Sequence, residues 1–390
     1  MYRFRVIFYL LLLIALLGMI IATGACDDDD DDDDDANADD DSGDDDDDDD
    51  DNDDDTPPPE PFDEAEANLG QWVWIDVEGS LCRGGSATGI GVRLQDGADK
   101  LVIFLQGGGA CFDEESCGDT PDSYDATDLT AEMTGDLAAG VFNDVNTDNP
   151  LGDWNFVFVP YCTGDLHSGN LTDGGVPDVD GAQQFVGYGN VTNMLDLVAP
   201  YFADAAQVML IGQSAGGFGS LLNYPQVAPA FPDHDVVLLD DSGPLPADNA
   251  VLSPLLQSAV RVLWNVVVPE DCVDCHDPSG DGIEHIQPYL AEQWPASVFG
   301  LFSTTEDEEI RGFFDLFGPI SGPAYAAAMI DLRDNLLLPT GRWSTYFYDD
   351  TFHTFTTDDD RYFDLTVGDD LLIDWVAALA AGSVPAPVGP

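Results

Sequence analysis

The chain has 390 residues and is 44% hydrophobic, enough apolar material for one large α/β domain or two smaller ones. Its 77 acidic side chains face only 10 basic ones, for a formal net charge of −67, and Lys100 is its only lysine. A surface of that sign repels phosphates, which argues against nucleic acid as a partner.

Residues 1–25 read as a signal peptide of the lipoprotein type: Arg3 and Arg5, an apolar run over 6–21, then the small residues Ala22, Thr23, Gly24 and Ala25 before Cys26. Thr23 stands where such leaders usually carry leucine. An uncleaved membrane anchor is the rival reading, but the run falls short of the roughly 20 residues a span needs. The expectation is an exported protein, at the cell surface or in the periplasm, held to a membrane by lipid on Cys26.

Residues 26–60 form an acidic linker, with 23 aspartates between 27 and 55. Such a run buries no apolar area and repels itself, so it serves as a solvated, extended spacer. A collector of divalent cations is the alternative. Pro57, Pro58 and Pro59 stiffen its exit.

Residues 61–390 read as a single domain of alternating β-rich and helical stretches. Strands are expected at 71–77, 88–94, 101–105, 155–161, 207–211, 236–239, 297–303 and 343–348. Helices are expected at 193–205, from the end of the 207–211 strand to about Tyr224, twice between 252 and 294, at 325–337 and at 369–381. This alternation predicts a mostly parallel central sheet with helices on both faces.

Gly212-x-Ser214-x-Gly216 lies between a buried strand and a helix, which is where a nucleophile elbow belongs. The glycines permit a tight turn, and the helix start offers amide donors to an oxyanion. A glycine-rich turn with an ordinary N-capping serine is the competing reading. Gly107, Gly108 and Gly109 follow the 101–105 strand, where a second set of oxyanion donors sits in α/β-hydrolases. Ala215 supplies one amide; Gly108 or Gly109 supplies another. No Lys-Ser/Thr follows these glycines, so they are not a P-loop.

The base is a histidine downstream of the nucleophile. Of His167, His234, His276, His285 and His353, the last follows the final strand, the expected place. The acid is less sharply marked. Asp240 and Asp241 follow one strand, and Asp307 follows the next, flanked by Glu306 and Glu308. Topology favours Asp307.

Seven cysteines suit an exported protein. With Cys26 lipidated, the other six, Cys82, Cys111, Cys117, Cys162, Cys272 and Cys275, permit 15 pairings. Cys272-x-x-Cys275-His276 matches the attachment motif of c-type haem, but its polar, turn-rich setting favours a disulfide-stapled loop. Asp277-x-Ser279-x-Asp281-Gly282 begins like a calcium loop, yet Pro288 occupies the position of the bidentate glutamate. No metal or cofactor is expected.

Six separated motifs now coincide: Cys82-Arg-Gly-Gly-Ser-Ala-Thr-Gly-Ile-Gly91, Gln106-Gly-Gly-Gly-Ala-Cys111, Tyr161-Cys-Thr-Gly-Asp-Leu-His167, Gly212-Gln-Ser-Ala-Gly-Gly217, Asp241-Ser-Gly-Pro244 and Phe352-His-Thr-Phe355. Together they resemble the pectin acetylesterase family over about 71–353. The resemblance implies an α/β-hydrolase fold that removes acyl groups from oxygen. It implies Ser214 as nucleophile, His353 as base, Asp307 as acid, and Gly108, Gly109 and Ala215 as oxyanion donors. It also implies that Cys82 pairs with Cys162 and Cys111 with Cys117. The family's tryptophan before the cysteine of the glycine run is here Ala110, which reshapes the acyl pocket and leaves the substrate open.

The sequence thus points to a serine esterase acting on an acyl ester, acetyl foremost, of a carbohydrate or similar polar alcohol. A lipid deacylase on the same triad and a non-catalytic surface binding protein are the alternatives.

Overall fold

The computed structural model describes residues 60–276 and 282–390. The leader, Cys26, the aspartate tract and the first residues of the calcium-like loop lie outside the described residues.

Eight strands build one sheet: β1 (Val73–Leu81), β2 (Ala87–Arg93), β3 (Lys100–Leu105), β4 (Asn155–Val159), β5 (Gln207–Gln213), β6 (Val237–Asp241), β7 (Phe299–Thr304) and β8 (Trp343–Tyr348). Their order across the sheet is β1-β2-β4-β3-β5-β6-β7-β8. β2 runs antiparallel to both β1 and β4, and every pair from β4 to β8 is parallel. This is an α/β-hydrolase fold.

The parallel strands are buried on both faces, which is why they read as unbroken apolar runs. In β3, Leu101, Ile103 and Leu105 pack with Val191, Met194 and Val198 of the helix Gly187–Tyr201 and with Leu221 and Val227 of the helix Ala215–Ala230. Val102 and Phe104 point the other way, toward Phe142, Phe158 and the C-terminal helix Leu372–Ala380. The two-residue period of the strand thus feeds two separate cores.

Parallel register brings the chemistry-bearing ends together. Leu105 pairs with Gly212, Gln213 with Asp241, Asp241 with Phe302, and Thr304 with Tyr348. The loops after β3, β5, β6, β7 and β8 therefore emerge side by side at the carboxyl edge, where open α/β sheets bind ligands.

Several expected boundaries move. The helix expected at 193–205 is Gly187–Tyr201. Its start is fixed by a long-range bond, Gly187 N–H to Asp165 Oδ2 at 2.8 Å, that no local pattern announces. The helix expected at 325–337 is α-helical over Gly322–Asp331, capped by Ser321, and continues as a π-turn over Leu332–Leu337. Asp240 and Asp241 do not follow their strand; they are its last two residues and fully buried. Leu171–Gly174 and Gln183–Phe185 form an antiparallel hairpin outside the expected strands.

Disulfides join Cys82 to Cys162, Cys111 to Cys117 and Cys272 to Cys275. The first links the end of β1 to the segment after β4 across 80 residues. Chain-entropy arguments put its effect at about 4 to 5 kcal/mol for a loop of that size. Replacing both cysteines by serine is expected to lower the unfolding free energy by that order, read from chemical denaturation. A loss under about 1 kcal/mol would show that the unfolded chain is not restrained by this link.

Candidate active site

Ser214 sits at the tip between β5 and the helix Ala215–Ala230, with φ 56° and ψ −116°. A non-glycine residue in that region costs of order 1–3 kcal/mol and persists only when its surroundings enforce it. Here they do: the Ser214 N–H donates to Asp241 O at 2.7 Å, and Ser214 O accepts from Gly217 and Phe218. A β-carbon on Gly216 would stand 2.0 Å from Leu105 O, so only glycine lets the helix start this close to the sheet. The Ser214 side chain makes no capping bond to its helix.

His353 lies on the loop after β8. Its Nδ1 meets Asp307 Oδ2 at 2.7 Å. Asp307 is fully buried, and its other oxygen accepts the N–H groups of Glu309 and Ile310, both at 3.0 Å, at the start of the helix Glu308–Phe314. The loops after β7 and β8 are stitched by Glu306 N–H to Asp350 O, Glu308 N–H to Thr351 O and Thr304 Oγ1 to Phe352 O. With Nδ1–H donated to Asp307, the free Nε2 is the basic nitrogen. No hydrogen bond between Ser214 and His353 occurs among the described residues, as is common for such pairs before substrate tightens them. Of the rival carboxylates, Glu308 pairs loosely with Arg311 at 3.7 Å from a largely exposed position, and the His353 ring bonds to neither it nor Glu306.

The glycine loop lies against the nucleophile turn: a β-carbon on Gly107 would be 3.0 Å from Ser214 Cβ. Among the described residues, the amides of Gly108, Gly109 and Ala215 enter no loop or turn hydrogen bond, which leaves them available as donors. Two residues to which the sequence alone assigns no role at the site hold this loop. The Tyr161 hydroxyl donates to Gly109 O at 3.0 Å and accepts the Leu166 N–H at 2.9 Å. His167 Nε2 lies 2.9 Å from Gln106 O. Burial pushes the His167 imidazole down to about 4, so above that pH it is neutral, with Nε2–H donating to the carbonyl. Its motif was visible in the sequence; its position before the serine excluded it only as a base.

Asp241 is a candidate acid by sequence, but its carboxylate hydrogen-bonds to main-chain amides and hydroxyls and not to the His353 ring. Oδ2 accepts the N–H groups of Phe355 and Thr356, both at 2.9 Å, and the Thr356 hydroxyl at 2.7 Å. Burial raises its pKa against the pull of those donors.

Ser214, Ala215 and Gly109 open onto an apolar pocket walled by Phe112, Phe218, Leu256, Val260, Trp264 and Phe313. Its volume is about 100 Å³. One water needs roughly 10–15 Å³, so the pocket holds a chain of several heavy atoms. A wider cleft of about 300 Å³ starts at the same Gly109 and runs past Asp113, Glu115, Asp119 and Asp315.

The remaining motifs have other roles. Cys272 and Cys275 spend their sulfurs on each other, leaving none for a haem thioether, and His276 Nε2 bonds to Pro269 O. Among the described residues, no His, Cys, Asp or Glu cluster is arranged to hold a metal.

A sheet of this order, with a serine on a strained strand-to-helix turn and an aspartate-bound histidine on the loop after β8, defines the α/β class of hydrolases. The profile of the family described as "PAE: Pectinacetylesterase" matches residues 70–264, half of the chain, and the chain belongs to that family. It is 29% identical over 251 residues to palmitoleoyl-protein carboxylesterase notum2 of Xenopus laevis, covering 59% of this chain and 50% of that one. It is also 29% identical over 215 residues to the human palmitoleoyl-protein carboxylesterase NOTUM, covering 49% and 42%. The chain thus spans about half the length of the curated relatives it matches. The solved structure of the Wnt deacylase Notum from Drosophila superposes with a TM-score of 0.62 at 19% identity, over 81% of this chain and 96% of that one, which speaks to the fold.

Proposed function

We propose that this chain is a serine carboxylesterase that removes acyl groups from oxygen on a carbohydrate or comparable polar alcohol. The observation that carries the reading is the 2.7 Å bond between His353 Nδ1 and Asp307, on loops beside the strained turn that presents Ser214. His353 Nε2 takes the Ser214 proton as Oγ attacks the ester carbonyl. The amides of Gly108, Gly109 and Ala215 hold the oxyanion, each such donor being worth about 3 kcal/mol. The tetrahedral intermediate collapses, and His353 returns the proton to the leaving alcohol. Water, deprotonated by His353, then releases the acid and regenerates Ser214. The leader and Cys26 support export and lipid anchoring, which places the substrate outside the cell. Among the described residues, no helix is long and apolar enough to cross a membrane.

The acyl group enters the apolar pocket and the alcohol occupies the wider cleft that runs past Asp113, Glu115, Asp119 and Asp315. An acetyl group leaves most of the pocket empty, so its apolar walls favour a second reading, deacylation of a longer chain. Each buried methylene contributes about 0.8 kcal/mol, or about four-fold in kcat/KM. We expect p-nitrophenyl esters from acetate to decanoate to peak beyond acetate. Leu256→Trp, which fills the pocket, should move the peak toward acetate. A profile that peaks at acetate in both proteins would leave the acetylesterase reading alone. No hydrolysis of any ester by folded protein would favour a binding protein.

A further inference from the structure

Asp241 ends β6, directly beside the strand that carries Ser214. Its main-chain carbonyl accepts the Ser214 N–H at 2.7 Å. Its carboxylate, fully buried, gathers the loop that follows His353: Phe355 N–H, Thr356 N–H and the Thr356 hydroxyl all converge on Oδ2. Oδ1 accepts the Ser242 hydroxyl at 2.9 Å. One residue therefore grips the turn presenting the nucleophile and the loop presenting the base. Asp307 cannot do this, because it reaches His353 from the loop after β7 and spends its second oxygen on its own helix.

A second observation points to the same place. Of the eight non-glycine residues with left-handed backbone among the described residues, three surround this junction: Ser214 at φ 56°, Ser242 at 65° and Thr354 at 60°. Each stores strain that neighbours must enforce, and such strain gathers where a site is held in one geometry. Ser214 and Ser242 adjoin bonds made by Asp241, and Thr354 lies between His353 and the two amides it holds.

We infer that Asp241 is a positioning residue for acyl transfer, fixing the approach of His353 Nε2 to Ser214 Oγ by fastening the histidine loop to the nucleophile turn. The inference rests on the catalytic reading of Ser214 and His353. In Asp241→Asn an amide N–H₂ replaces one of the two acceptor oxygens, while the shape is kept. In Thr356→Val one donor is lost with almost no change of volume. Reacting groups misplaced by 1 Å can lose about 100-fold in rate.

The test measures kcat and KM on a p-nitrophenyl ester, thermal unfolding, and the low-field proton resonance of His353 Nδ1–H. For Asp241→Asn, kcat is expected to fall about 100-fold. For Thr356→Val the expected fall is about 10-fold. KM should change less than two-fold in both, and the Nδ1–H resonance should persist because the Asp307 bond is untouched. A kcat within about two-fold of the parent in folded Thr356→Val overturns the proposal. So does a fall that matches only the loss of folded protein. If Asp241→Asn does not fold, Thr356→Val decides alone. Ser214→Ala separates the two levels: if it still hydrolyses the ester, the catalytic reading has failed; if it is inactive and Thr356→Val is fully active, only the role of Asp241 has.

Discussion

Ser214→Ala is expected to reduce kcat by about a million-fold with little change in KM or in stability. The large first figure follows from removing the atom that forms the covalent intermediate. Knocking out a nucleophile costs about as much as removing its whole triad, because the remaining groups have nothing to activate. The small second figure follows from the structure. Ser253 and Ser321 cap their helices with side-chain bonds, whereas Ser214, at the start of the helix Ala215–Ala230, caps nothing. Its hydroxyl therefore adds little to the fold, and alanine keeps the same β-carbon in the same strained backbone. Stopped-flow release of p-nitrophenol should show a burst in the parent protein, provided deacylation is slower than acylation, and none in the variant. Activity within ten-fold of the parent would remove Ser214 from the mechanism.

Asp307→Asn is expected to cost about 10⁴-fold in kcat while leaving Tm nearly unchanged. Asparagine retains an oxygen for the amides of Glu309 and Ile310, so the helix Glu308–Phe314 stays capped. Toward His353 it presents an N–H₂ group, which turns the imidazole to the other tautomer and leaves Nε2 protonated and unable to take the serine proton. Asp307→Ala should lose activity and, in addition, about 1 kcal/mol of stability from the missing cap. Comparing the two by kinetics and thermal unfolding separates the two duties of one carboxylate. Equal Tm values for both variants would show that the cap contributes nothing.

The parts of this architecture that sequence reveals are those encoded within one strand and its following turn. The run before Gly212 is apolar because β5 is buried on both faces, and the glycines flanking Ser214 are demanded by close approach of strand and helix. His353 follows the final strand of the sheet and is found by the same local logic. Asp307 is harder, since Glu306 and Glu308 share its charge; only the pairing of β7 with β8 decides which carboxylate reaches the ring. Asp241 illustrates the limit. Its place at the end of the strand after the nucleophile helix makes it a candidate acid, but its partners are more than a hundred residues away, and they are amides rather than an imidazole. Of the pocket beside Ser214 the sequence marks only Ala110, because the other walls come from segments as distant as Phe112, Trp264 and Phe313.

Lys100 lies half-buried at the first position of β3, its ammonium 5.0 Å from the centre of the Trp154 ring. The strand rises about 3.3 Å per residue, so its far end, where the glycine loop begins, is roughly 17 Å away. A reagent that couples to side-chain amines finds a single target in this sequence, at the opposite edge of the sheet from Ser214. Attached to an activated solid support through that amine, with the α-amino group blocked, the molecules would share one orientation, with the mouth of the cleft turned outward.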